Sequence, residues 1–252
     1  MTAKTAEDRL RYAKQYASIL TSVGMPTELL QLSPNKRIHV MKALSSLARF
    51  TGRSDDWQQI RQKHGLQWST GTEKIDAFTR FFDQSKNLDT MIDWLRQAMQ
   101  ALPRDYSNFL LFCTLTGMRG SEAVESVRLL NQPSGKFPED YYNPEQQKLQ
   151  HYLFPDIFIR RTKAIYVSVV NDAIIGIAKN ISKTPTQNGL KKALVRRRYL
   201  SMKVKYCRKI YASYLRQSGI ESEIIDMLSG RVGKNIFLRH YYRPGLDYKE
   251  RY

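Results

Sequence analysis

The sequence predicts a mainly helical protein carrying one small β-hairpin or sheet. Apolar residues recur every three or four positions through most of the chain, the helical period. That period breaks between His151 and Val170, where Ile, Val, Phe and Tyr gather in two short runs. A length of 252 residues, 42% hydrophobic and 25% charged, is enough to bury a core without disulfide or metal staples.

The first stretch, residues 1–86, reads as a small helical bundle. Leu10, Tyr12, Ala13, Tyr16, Ala17, Ile19 and Leu20 make one helical stripe, and Gly24 and Pro26 mark a break. Pro34 opens a second stripe through Ile38, Val40, Met41, Leu44, Leu47 and Ala48. Trp57, Ile60, Phe78, Phe81 and Phe82 suggest two more helices around Gly65 and Gly71. Residues 87–252 form a second domain. It begins with a helix over Leu88–Leu102, followed by one capped at Asp105 or Ser107 that ends at Gly117. A third helix runs from near Ser121 to about Leu130, and residues 131–148 read as an exposed loop. His151–Ile159 and Ala164–Val170 are the two β-type runs, with Arg160–Lys163 as the hairpin tip. Helices return near Asp172–Lys179, Leu200–Gln217, Ser222–Leu228 and Asn235–Tyr242, the last stopped by Pro244 and Gly245.

Charge narrows the class. Lys and Arg number 41 against 23 Asp and Glu, a net charge of +18. Residues 181–220 hold 11 Lys or Arg and no acid at all. So one-sided a surface repels itself unless a polyanion neutralises it. No run approaches the ~20 apolar residues of a membrane span, and the first eight residues lack a signal-peptide core. Cys113 and Cys207 make no disulfide framework, and four scattered histidines make no zinc set. The expectation is a cytoplasmic protein that faces nucleic acid, with no cofactor, no metal and no membrane partner.

Three motifs carry chemistry. Thr116-Gly117-Met118-Arg119-Gly120-Ser121-Glu122 places an arginine between a helix end and a helix start, a good place to hold a phosphate. Lys205-Tyr206-Cys207-Arg208 sets two cations three apart on one side of a helix. Ser229-Gly230-Arg231 puts an arginine in a turn, with Tyr241 and Tyr242 ten and eleven residues on. Taken singly, each also reads as a surface cap, an amphipathic face or a packing residue.

In order and spacing, Arg119, Lys163, Lys205-x-x-Arg208, Gly230-Arg231 and Tyr241 together resemble the tyrosine recombinase, or phage-type integrase, family. The family's usual pattern has His at the positions of Lys205 and Arg231. The two departures are similar to the integrases of archaeal viruses and plasmids of the fusellovirus type. The resemblance covers residues 87–252, and implies that residues 1–86 are the core-binding domain of a basic clamp around double-stranded DNA. It implies a homotetramer on synapsed DNA, from a monomer or dimer when free, that integrates or excises a mobile element.

Carried over residue by residue, the resemblance makes Arg119 and Arg208 the guanidinium forks on the scissile phosphate. Lys163 becomes the general acid toward the leaving 5′-oxygen. Lys205 and Arg231 add hydrogen bonds to phosphate or nucleophile, and Glu122 orients. Tyr241 is the nucleophile, with Tyr242 its competitor. A free phenol, pKa ~10, is protonated at neutral pH, and surrounding cations favour the phenolate. A 3′-phosphotyrosyl link would conserve the phosphodiester's energy, so neither ATP nor metal is called for. Three alternatives stay open: a type IB topoisomerase-like nicking-closing enzyme, a catalytically inactive DNA-binding architectural protein, and an RNA-binding protein.

Overall fold

The computed structural model describes residues 3–21, 25–68, 75, 79, 87–132, 140–160, 163–197 and 204–231. The chain is mainly helical with small antiparallel sheets, and divides into two compact units between Asp83 and Gln84. Among the described residues no helix is long and apolar enough to cross a membrane.

The first unit packs α1 (Ala3–Tyr16), with a 3-10 turn over Ala17–Thr21, against α3 (Pro34–Phe50). A single turn, α2 (Glu28–Gln31), precedes α3, and α4 (Ser54–Lys63) follows it. Pro34 starts α3 because the first helical position needs no amide hydrogen. Val40, Met41, Leu44 and Ala48 form its buried stripe, meeting Tyr16, Ile19, Leu29 and Trp57. Trp57 satisfies its indole N–H on Ser45 Oγ at 2.7 Å. Leu10, expected in the stripe, is exposed instead. The helix expected around Phe78, Phe81 and Phe82 lies outside the described residues.

The second unit opens with α5 (Leu88–Ala101), capped by Asn87, whose side chain accepts from the Thr90 amide at 2.8 Å. In α6 (Arg104–Thr116), neither Asp105 nor Ser107 is the cap. The helix starts directly after Pro103, and the Asp105 carboxylate accepts the Ser182 and Lys183 amides, each at 3.0 Å. Gly117 ends α6 in the left-handed region at φ +63°, and α7 (Gly120–Leu130) begins three residues on.

Past residue 139 the structure corrects the sequence reading. Part of the expected loop is ordered sheet: β1 (Tyr142–Asn143) pairs with β2 (Lys148–Gln150), which pairs with β5 (Val167–Val169). Tyr141 beside it is fully buried. The expected strand over His151–Ile159 is instead a 3-10 turn, His151–Leu153, then a short helix α8 (Pro155–Phe158). Pro155 has no amide for a ladder and suits a helix start. His151 and Phe158 are buried seven residues apart and pack their rings with Tyr141, a spacing strand alternation does not give. A separate hairpin follows, β3 (Ile159–Arg160) against β4 (Lys163–Ala164).

The remaining helices are α9 (Asp172–Lys179), α10 (Gln187–Arg196), α11 (Lys205–Gln217) and α12 (Ser222–Leu228). The sequence reading passed over α10. It buries only Leu190, Ala193 and Leu194, with Thr186 accepting the Gly189 amide at its start. The part of the expected 200–217 helix before Val204, and the whole of the Asn235–Tyr242 helix, lie outside the described residues. The core of this unit joins Phe109, Phe112 and Cys113 of α6 to Ala123 and Val127 of α7 and to Cys207 and Ile210 of α11. Both cysteines are free thiols within it.

Candidate functional site

The site is built where four chain segments converge. The first is the start of α7. Arg119 occupies the cap position, with extended backbone (φ −71°, ψ 147°). Its amide donates to Glu122 Oε2 at 2.9 Å, and its Nη1 donates to Glu122 Oε1 at 2.7 Å. One carboxylate thus closes the helix start and fixes the guanidinium that leaves it. Before it, Gly117 permits a close approach: a Cβ there would come within 2.3 Å of the Tyr211 ring. The turn bearing Arg119 is thereby seated on α11.

The second segment is α11, which brings Arg208 to the same carboxylate. Arg208 Nη1 stands 3.9 Å from Glu122 Oε2, and Nη2 donates to the Ser229 carbonyl at 3.0 Å. The Glu122 side chain is 1% exposed and that of Arg208 16%. Burial, then the neighbouring Arg119 charge, pulls the Arg208 guanidinium down to about 10, against the opposing pull of Glu122. It remains a cation at neutral pH. Its Nη1 is buried and has no hydrogen-bond partner among the described residues.

The third segment is the β3–β4 hairpin. Arg160 Nη2 reaches Glu122 Oε1 at 3.4 Å and Ser121 Oγ at 3.5 Å. The Ala164 carbonyl accepts from Arg119 Nη1 at 3.2 Å. Lys163 is exposed and pairs across the hairpin with Arg160. The fourth segment is the turn after α12. Gly230 (φ +70°) lies so close to the hairpin that a Cβ there would come within 1.7 Å of the Ala164 oxygen. Arg231 follows, exposed, with its Nη1 on Asp226 Oδ1 at 2.9 Å. It is near enough to lower the Arg208 pKa.

Three guanidiniums, from Arg119, Arg160 and Arg208, therefore share one buried carboxylate and leave two positive charges in excess. A carboxylate is planar and offers two oxygens. Here both are in use, while the buried Arg208 Nη1 is left without a hydrogen bond. The excess positive charge, carried on the more exposed Arg119 and Arg160, suits an oxyanion with several oxygens, such as a phosphodiester. Comparison with family models, curated proteins and solved structures finds no match to this chain.

Of the residues singled out from sequence, Arg119, Arg208 and Glu122 come together directly, and Lys163 and Arg231 flank them. Lys205 opens α11 one turn before Arg208. Its side chain, and all of Tyr241 and Tyr242, lie outside the described residues. Sequence reasoning missed Arg160 as a member of the cluster, having read it only as hairpin tip. The signal was available: a hairpin tip from 160 to 163 makes those two residues opposite partners, with side chains on one face. It also missed Tyr211 and the Ser229 carbonyl, which no local pattern marks.

Proposed function

We propose that the chain is a tyrosine-type site-specific DNA recombinase, an integrase that joins a mobile element to double-stranded DNA and releases it again. The single observation that carries this reading is the convergence of Arg119 and Arg208, 89 residues apart in the sequence, on one buried carboxylate that leaves positive charge in excess. The resemblance of residue order in the sequence supplies the rest. Arg119 and Arg208 hold the non-bridging oxygens of the scissile phosphate. The Tyr241 oxygen attacks phosphorus and loses its proton. The P–O5′ bond breaks, and the leaving oxygen takes a proton from Lys163. Lys205 and Arg231 add donors as charge builds on the phosphoryl oxygens. Reverse attack by a 5′-hydroxyl rejoins the strand, and four protomers on two sites exchange strands.

The test is a suicide-substrate assay. Nicked duplexes drawn from random plasmid and genomic DNA are incubated without ATP and with a chelator present, then run on a denaturing gel. A covalent protein–DNA band lost in Tyr241→Phe supports the chemistry and names the nucleophile. Loss only in Tyr242→Phe keeps the chemistry and moves the nucleophile by one residue. Tight, salt-sensitive binding with no adduct on any duplex refutes the enzyme reading in favour of an architectural one.

A further inference from the structure

We infer that Arg160 is a positioning residue for Lys163, acting by hanging the β3–β4 hairpin on Glu122; this rests on the recombinase reading above. Register gives the first step. Arg160 pairs with Lys163 and Ile159 with Ala164, antiparallel. Directly opposed residues send their side chains to the same face, with Cβ atoms about 5 Å apart. Two cations so placed repel each other unless an anion takes one of them. Arg160 finds that anion: Nη2 stands 3.4 Å from Glu122 Oε1 and 3.5 Å from Ser121 Oγ. The face that carries Lys163 is therefore the face turned to the arginine cluster.

The base of the hairpin is held separately. The Ala164 carbonyl accepts from Arg119 and abuts Gly230. Lys163 lies one residue nearer the tip, and Arg160 supplies the side-chain tie at its level. The Arg160 side chain is 43% exposed, so truncating it removes the tie without opening the core.

The chemistry makes this testable. When P–O5′ breaks, the leaving alkoxide must gain a proton, and Lys163 supplies it while the phenol sheds its own to solvent. A 5′-bridging sulfur leaves as a thiolate. With thiol pKa ~8.5 against ~16 for water, sulfur needs no proton donor. Loss of donor positioning therefore slows cleavage of the oxygen substrate and spares the sulfur one.

The experiment uses the full chain and a pool of nicked, randomised duplexes carrying either bridging oxygen or bridging sulfur at the cleavage position. Adduct formation is followed on denaturing gels. Arg160→Ala is expected to slow adduct formation with oxygen about tenfold, less than the ~10²–10⁴ that loss of the general acid itself would cost, and with sulfur by less than about twofold. Lys163→Ala should show the same pattern more strongly, Arg208→Ala should slow both substrates alike, and Arg160→Lys should fall between wild type and Arg160→Ala. Equal loss on both substrates, or no loss on either, overturns the inference while the wild-type adduct keeps the recombinase reading. Absence of a wild-type adduct on both pools overturns the recombinase reading, and the inference with it. A thermal melt of each variant, with Arg160→Gln beside Arg160→Ala, separates unfolding from mispositioning.

Discussion

Replacing Glu122 by glutamine keeps the shape of the side chain and removes its charge. In the wild type that charge sits between Arg119 at 2.7 Å, Arg160 at 3.4 Å and Arg208 at 3.9 Å. Removing one partner from a buried ion pair costs about 3–5 kcal/mol, because the other charge stays buried and uncompensated. Arg119 is 26% and Arg160 43% exposed, so water screens part of their share. About 2–3 kcal/mol then remains, mostly from Arg119 and Arg208. In a unit of this size each kcal/mol moves the melting temperature by about 2–4 °C, which gives a fall of roughly 4–12 °C. Thermal unfolding followed by circular dichroism measures it. A double-mutant cycle with Arg119→Ala should show strong non-additivity, since the two variants remove one interaction. Melting within about 1 °C of wild type, or simple additivity, would refute the claim that Glu122 is the counter-charge of the cluster.

The other predictions concern packing and pH. Burial pulls His151 down to about 3, its ring held between the Tyr141 and Ser168 hydroxyls. An unfolded histidine protonates near 6.5, so His151 favours folding fully above that pH. As pH falls toward 3, stability drops by about 1.4 kcal/mol per unit. Urea midpoints at pH 7, 5.5 and 4.5 should show this slope in wild type and a shallower one in His151→Gln; parallel slopes would dismiss it. Gly230→Ala should lower stability, since its Cβ would strike the Ala164 oxygen and its φ of +70° costs about 1–2 kcal/mol for a residue with a side chain. An unchanged melting curve would contradict that packing. Gly117→Ala should destabilise by more than the left-handed penalty, and Tyr211→Ala should relieve part of the excess by clearing the ring. Equal melts of the single and double variants would count against the contact.

Much of the fold was legible because helical stripes report burial directly: Val40, Met41, Leu44 and Ala48 fall where their spacing puts them. The segment around His151 was not legible. Its β-branched and aromatic residues suit a strand, yet Pro155 and the packing of His151, Tyr141 and Phe158 impose a turn and a short helix. The α10 helix escaped because its apolar face is only three residues wide amid lysines and arginines. In the site, Arg119 and Arg208 were visible as motifs. Arg160 was legible as the partner of Lys163 across the hairpin, but its tie to Glu122, 38 residues earlier, came only with tertiary placement.

The cluster spans a long stretch of chain. Arg119 meets the Ala164 carbonyl 45 residues on, and Arg208 meets the Ser229 carbonyl a further 21 beyond itself. During synthesis the helix bearing Arg119 emerges early, but the turn that fixes Arg208 and wedges the hairpin leaves the ribosome more than a hundred residues later. A growing chain therefore exposes Arg119 and Glu122 well before the segments that pack around them exist. The cluster around Glu122 is therefore complete only when segments from Arg119 through Arg231 are all in place, so it is a property of the finished unit and of no fragment of it.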